Sequence, residues 1–434
     1  MEFDLGLLLT VVGLSILGGF TFLFVLVGRD LAPAVSLAGP RRWLIVVGLG
    51  FGVIALSIKV VAIMLLSRMS LHPEMASLAP PEETAEILPV RFEALPRPAP
   101  LWKALPELAP APADNPTTPA KVALGRALFF ETALSLDGTM SCASCHDLAR
   151  GGADAKPLSP GVGGSIGARN APSVYNAAFQ KRLFWDGRAR SLEEQATGPI
   201  LNPVEMAMPD AKSVEGRLRD IPAYAERFAL AFGEGTISIE RVAEAIAAFE
   251  RTLITPDSAY DRFVRGDMNA LNSRQLRGMT LFQEIGCIQC HSGPNLSGAS
   301  LFAADENGLR IFPAVENDTL SHYPLREDKG AAAAGSERAI WRIPSLRNVA
   351  LTGPYFHNGS VATLREAVRI MAASQRNVLL AEDHLAGRTI VWQPDDARLS
   401  VTDRAVLTEN DIADIIAFLE SLTSDSLKRA TAGP

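Results

Sequence analysis

Apolar positions are continuous at the start of the chain and periodic later. Leu5 to Val27 is a nearly uninterrupted apolar run, and Trp43 to Leu66 is a second, broken only by Lys59. Each can cross about 30 Å of hydrocarbon as a helix, so residues 1–70 are expected to form a membrane anchor of two transmembrane helices. Lys59 is expected to reach toward an interface. Arg29, Arg41 and Arg42 lie between the runs, whereas only Glu2 and Asp4 are charged before the first. The positive-inside bias then places the connecting loop in the cytoplasm and both ends in the periplasm, as for a bacterial inner-membrane protein. The missing basic stretch before the first run argues against a cleaved signal peptide.

Residues 71–119 are rich in Pro and Ala and are expected to be a semi-extended spacer. From Lys121 onward the pattern becomes soluble and mainly helical. Ile239 to Leu253 and Glu409 to Leu422 carry apolar residues at helical spacing. No β-rich region stands out. Gly125-Arg126-Ala127-Leu128-Phe129-Phe130-Glu131 is echoed by Gly278-Met279-Thr280-Leu281-Phe282-Gln283-Glu284. Both read G-x-x-L-F-x-E, which predicts two duplicated domains, 120–270 and 271–434.

Composition sharpens this only in part. Hydrophobic residues make up 48% of the chain and mean hydropathy is +0.14, an excess carried by the anchor runs. Net charge is −7 with no basic block and no phosphate-binding glycine loop, which excludes a nucleic-acid-binding class.

The chemistry comes with the cysteines. All four, Cys142, Cys145, Cys287 and Cys290, fall in two C-x-x-C-H motifs that end in His146 and His291. Such a motif reads as a c-type haem attachment: the thiols bond the macrocycle and the adjacent His ligates the iron. A zinc reading needs further ligands, and His72, His322 and His384 lie in unrelated contexts, most simply as surface residues. The expected fold is therefore mainly α: two cytochrome c-like haem domains behind two transmembrane helices and a Pro-rich linker, with two covalently bound haem c groups.

Residues 120–425 resemble the bacterial di-haem cytochrome c peroxidases. The resemblance rests on Arg169-Asn170-Ala171-Pro172-Ser173, Phe184-Trp185-Asp186-Gly187-Arg188-Ala189, Asn202-Pro203-Val204-Glu205-Met206, and Pro344-Ser345-Leu346-Arg347-Asn348 running on to Pro354-Tyr355-Phe356-His357-Asn358-Gly359-Ser360. It implies an oxidoreductase that reduces hydrogen peroxide at the N-terminal haem. The C-terminal haem takes electrons from a small cytochrome c, a copper protein or a membrane donor.

The resemblance also assigns residues. Met371 falls where the family has the sixth ligand of the C-terminal iron, and a His/Met pair raises the reduction potential; the bland alternative is helix core beside Val368. Tyr355 and Tyr323 are outside candidates for that place. Glu205 matches the acid–base carboxylate and Gln195 a neighbouring amide of the peroxide pocket; Glu205 could instead cap a helix or pair with an Arg. Trp185 matches a Trp between the haems, on the electron route or simply packed. His357 is read as a haem propionate partner. Asn170, Thr352 and Pro354 match positions that hold a calcium ion, a place that ordered water could also fill.

One departure matters. Where many relatives carry a distal His before the Arg-Asn-x-Pro motif, this chain has Val162, and no His occurs between His146 and His291. The N-terminal iron is therefore expected to be open in every redox state. Relatives with an open haem include the MauG enzymes, which oxidise residues of a protein substrate. That is the second functional reading, and a membrane-tethered electron carrier is the third. The sequence leaves open a homodimer and the roles of the long loops 301–338 and 372–407.

Overall fold

The computed structural model describes residues 102–233, 236–304, 307–380 and 406–431. The two apolar runs, Lys59, His72 and His384 lie outside the described residues. Among those described, no helix is long and apolar enough to cross a membrane.

Six helices carry the architecture: α1 (Pro119–Phe129), α2 (Leu192–Leu201), α3 (Ile239–Glu250), α4 (Ser273–Glu284), α5 (Leu364–Arg376) and α6 (Glu409–Ser421). Side-chain caps start them as their sequences dictate. Thr118 precedes a proline in α1, and Asn272 and Thr408 close reciprocal caps with Gln275 and Asp411 in α4 and α6.

The echo seen in the sequence has a steric cause. Helix α1 crosses α3 so closely that a Cβ on Gly125 would sit 1.8 Å from the Ala245 carbonyl oxygen. Helix α4 crosses α6 in the same way, and a Cβ on Gly278 would sit 1.8 Å from the Asp414 carbonyl oxygen. Only glycine permits either contact. Each crossing then carries its own core. Leu124, Leu128, Phe129, Val242, Ile246 and Phe249 belong to one, and Phe282, Ile288, Ile415, Phe418 and Leu419 to the other.

The two halves also meet through matched turns. Asn176 and Asn348 both adopt left-handed backbone, with φ of 63° and 59°. Their N–H groups donate to the carbonyls of Leu253 and Leu422, just beyond the ends of α3 and α6. Both side-chain amides donate to the Thr255 hydroxyl, at 2.7 and 3.0 Å. This shared buried acceptor ties the P-S-x-x-N turn of each half to one point. Nearby, the fully buried Arg347–Asp261 pair, 2.9 Å apart, is further satisfied by Ser258 and the Pro294 carbonyl. Such satisfaction is what a buried ion pair needs to be tolerated.

Of the spacer expected over 71–119, residues 102–118 carry no helix or strand. Trp102 and Leu105 are buried, and Trp102 packs edge-on against Tyr260 and Phe418. Burying that indole offsets the entropy of fixing the segment. The described residues are mainly helical, as expected, with two short strand pairs. In the loop 301–338, strand β1 (Leu309–Ile311) pairs antiparallel with β2 (Ile340–Arg342), and β3 (Leu379–Leu380) pairs parallel with β4 (Val406–Leu407). These pairs are too short to leave an alternating pattern in the sequence. His322 is exposed, as expected.

Candidate active site

Both C-x-x-C-H segments form the same turn. The His146 N–H donates to the Cys142 carbonyl and the His291 N–H to the Cys287 carbonyl, each at 2.9 Å. This places both cysteines and the histidine of each motif on the wall of one cavity of about 820 Å³. None of the four cysteines is in a disulfide.

The imidazoles are pre-set as metal ligands. His146 Nδ1 lies 3.3 Å from the Gly152 carbonyl, and His291 Nδ1 lies 3.1 Å from the Leu296 carbonyl. A carbonyl only accepts, so each Nδ1 carries the proton and each Nε2 offers a lone pair. Burial holds both rings neutral, lowering His146 and taking His291 down to about 4.

The same wall has groups that await an anion. His357 Nε2 and Trp341 Nε1 are buried and lack a partner among the described residues. The two rings stack 3.9 Å apart at 15°. Arg342, also on the wall, is buried deeply enough to be lowered to about 10. Trp341 Nε1–H can only donate, so a carboxylate entering the cavity would satisfy it. Two thiols, one neutral imidazole and waiting donors for carboxylates are the set a covalently held haem requires. The residues fit one such group at each motif.

The remaining sequence-predicted residues converge here. Trp185, Gln195, Glu205, Met371, His357, Asn170, Thr352 and Pro354 all line the cavity. Gln195 projects from α2. Glu205 follows the same helix on a turn held by hydrogen bonds from Glu205 N–H to the Asn202 carbonyl and from Met206 N–H to the Pro199 carbonyl. It caps no helix: its Oε1 accepts from Asn202 Nδ2 at 2.7 Å. Burial raises its proton affinity, partly offset by Asn202 and by the charge of Arg188. A buried carboxyl whose proton affinity is raised suits proton transfer.

Trp185 is fixed on the cavity wall by its hydrogen bonds. Its indole N–H donates to the Asn170 carbonyl at 2.8 Å, and its own carbonyl accepts from the Arg342 N–H at 2.8 Å. Met371 lies on the cavity face of α5 with Leu364, Ala367 and Val368. Tyr355 also lines the cavity, but its hydroxyl donates to the Val349 carbonyl at 3.2 Å, and burial pushes it up to about 12. Tyr323 is not on the wall. Asn170 gives its amide nitrogen to the Lys156 and Pro157 carbonyls, which leaves Oδ1 as the atom for a cation. Among the described residues, no three acidic, His or Cys side chains are grouped to hold a metal ion.

Val162 does not line the cavity. It sits in a short turn whose N–H donates to the Glu205 carbonyl at 2.8 Å, and Gly161 packs against the Val204 carbonyl. The segment that carries a distal His in relatives is thus folded against the backbone of the Glu205 turn. Sequence reasoning missed Trp341, Arg342 and Glu250, all on the wall. Only Glu250 had a legible signal, a charged residue inside a helix face that reads as core.

The comparisons agree with this geometry. A family model described as di-haem cytochrome c peroxidase matches residues 119–269. The cytochrome c551 peroxidase of Nitrosomonas europaea is 37% identical over 318 residues, covering 73% of this chain and 84% of the relative. That of Pseudomonas aeruginosa is 38% identical over 328 residues, covering 74% and 84%. Among solved structures, a MauG-like protein associated with microbial copper homeostasis matches with a TM-score of 0.61 at 32% identity, over 74% of this chain and 95% of the other. With two haem-attachment turns on one cavity and relatives of this extent, the chain belongs to the di-haem cytochrome c peroxidase family.

Proposed function

We propose that this chain reduces hydrogen peroxide to water with two electrons from a periplasmic or membrane-bound donor. The observation that carries the reading is that Glu205, Gln195, His146, Met371 and His291 all line one cavity. Haem iron, when bound, supplies the redox step. The rest is done by side chains. Glu205 takes the proton of the oxygen that approaches the iron and returns it to the oxygen that leaves as water. Gln195 orients the peroxide by a hydrogen bond. Met371 and His291 would both ligate the iron held at the second motif, which suits electron entry, and His146 alone would ligate the iron at the first, which leaves room for peroxide. Trp185 stands between them as the electron route. His357 holds a propionate, and Asn170 Oδ1 with the carbonyls of Thr352 and Pro354 offers oxygens to a calcium ion.

The test is stoichiometric. Fully reduced protein mixed with peroxide under anaerobic conditions should lose two electrons per peroxide consumed. Loss of electrons without matching peroxide consumption would overturn the reading.

Val162 favours a second reading, oxidation of residues in a protein substrate. The engaged hydroxyl of Tyr355 and the cavity position of Met371 weigh toward the first.

The anchor runs extend the proposal to the inner membrane, with the haem domains in the periplasm. A reporter fused after Leu66 should be active only in the periplasm, and one placed near Arg41 only in the cytoplasm. The opposite pattern would leave both haem motifs on the wrong side for attachment.

A further inference from the structure

Glu250 ends α3 with 5% of its surface exposed, on the wall of the haem cavity. Its Oε2 has no hydrogen-bond partner among the described residues. A buried carboxyl left in this way costs stability, so its presence calls for a reason.

The repeat shows that the position does not demand a carboxyl. Gly125 against Ala245 and Gly278 against Asp414 set the register of the two halves. Counting on equally from Ala245 and Asp414 aligns Phe249 with Phe418, Glu250 with Leu419 and Leu253 with Leu422. The matched hydrogen bonds onto the Leu253 and Leu422 carbonyls confirm that register. Leu419 is as deeply buried as Glu250 and lines the same cavity. The chain thus places a carboxyl at the edge of the first motif where the second has leucine.

The surrounding charges do not pair with it. Arg251, the neighbouring cation, gives Nη2 to Glu193 Oε1 of α2 at 2.5 Å, and its buried Nη1 has no hydrogen-bond partner among the described residues. Lys121 of α1 is held by Asn115 Oδ1 at 2.8 Å and lies 3.5 Å from Glu244. Cys142 faces the carboxyl from the haem-attachment turn as a protonated thiol and becomes a neutral thioether in the holoprotein. Burial outweighs the attraction of Arg251, Glu193 adds repulsion, and the carboxyl is pushed up to about 8.

We propose that Glu250 is a redox-linked proton site for the haem at Cys142 and His146. Each electron that reaches this haem from the donor side is matched by one proton passing from water onto the Glu250 carboxylate. When the electron leaves, the proton leaves with it, so the net charge of the chamber does not change. A ferric centre adds positive charge and weakens the hold of Glu250 on its proton; a ferrous centre restores it. At the matching position the second motif has Leu419, which cannot take a proton. The inference rests on the haem that the family attaches at this motif and not on the identity of the oxidant.

The test is a spectroelectrochemical titration of the full di-haem protein across the neutral pH range, without peroxide, with the two haems resolved by spin state. In the wild type, the potential of the N-terminal haem should fall with rising pH at a slope approaching one proton per electron. Glu250→Gln keeps the size and should lose most of that slope; Glu250→Leu, which copies the second half, should do the same. The C-terminal haem should keep one pH dependence in all three proteins. A Gln variant that retains the wild-type slope overturns the proposal, as does a wild type with no slope. Because no peroxide is present, a failure of the peroxidase reading leaves this result interpretable.

Discussion

Replacing Glu205 with glutamine should slow peroxide O–O cleavage by about 10²–10⁴-fold, the scale of losing a positioned proton shuttle. The amide keeps the size of the side chain and can still hydrogen-bond, so the Asn202 contact and the turn after α2 should survive. Peroxide should still enter and bind. What disappears is the group that accepts a proton from one peroxide oxygen and delivers it to the other. The pH profile separates this from a packing defect. Glu205 must be deprotonated to accept the first proton, and burial places its proton affinity above that of an ordinary carboxylate. Wild-type kcat/KM should therefore fall as pH drops through that raised value, and the Gln variant should lack this acid limb. Rapid mixing with peroxide reads binding and cleavage as separate phases. Normal turnover in the Gln variant would mean that another group carries the proton.

The second large effect concerns the other haem. Met371→Ala should convert the C-terminal haem from low to high spin, with loss of the near-infrared band of a Met–iron bond. Met371 is on the cavity face of α5, Tyr355 is held by a backbone carbonyl, and Tyr323 is off the wall. Alanine cannot ligate iron, and the described wall offers no other soft donor within the same helix turn. The potential of that haem should also drop, because thioether ligation favours the reduced state. EPR and near-infrared absorption check both. An unchanged spectrum would assign Met371 to the core of α5.

The motifs were legible because their chemistry needs fixed spacing. Two thiols and one imidazole must reach one macrocycle, so C-x-x-C-H survives in the chain as a readable string. The G-x-x-L-F-x-E echo was legible as a repeat, but the sequence did not say why the glycines recur. The answer is a carbonyl of a helix distant in the chain, Ala245 or Asp414, which no local pattern reveals. Glu205 and Met371 were found through resemblance, and the cavity brings both to the wall. The packing of the Val162 turn onto the backbone of the Glu205 turn could not be read, since it depends on a hydrogen bond between segments distant in the chain. Trp102 was hidden for a different reason. A lone aromatic in a Pro-rich stretch reads as spacer until its partners, Tyr260 and Phe418, are known.

The account turns on an N-terminal iron that is open before any electron arrives. Stopped-flow mixing of the fully oxidised protein with one equivalent of peroxide tests this most directly. The account predicts an immediate spectral change at the high-spin haem, with no lag and no need for prior reduction, because no ligand has to leave. A protein that stays inert to peroxide until one haem has been reduced would contradict it.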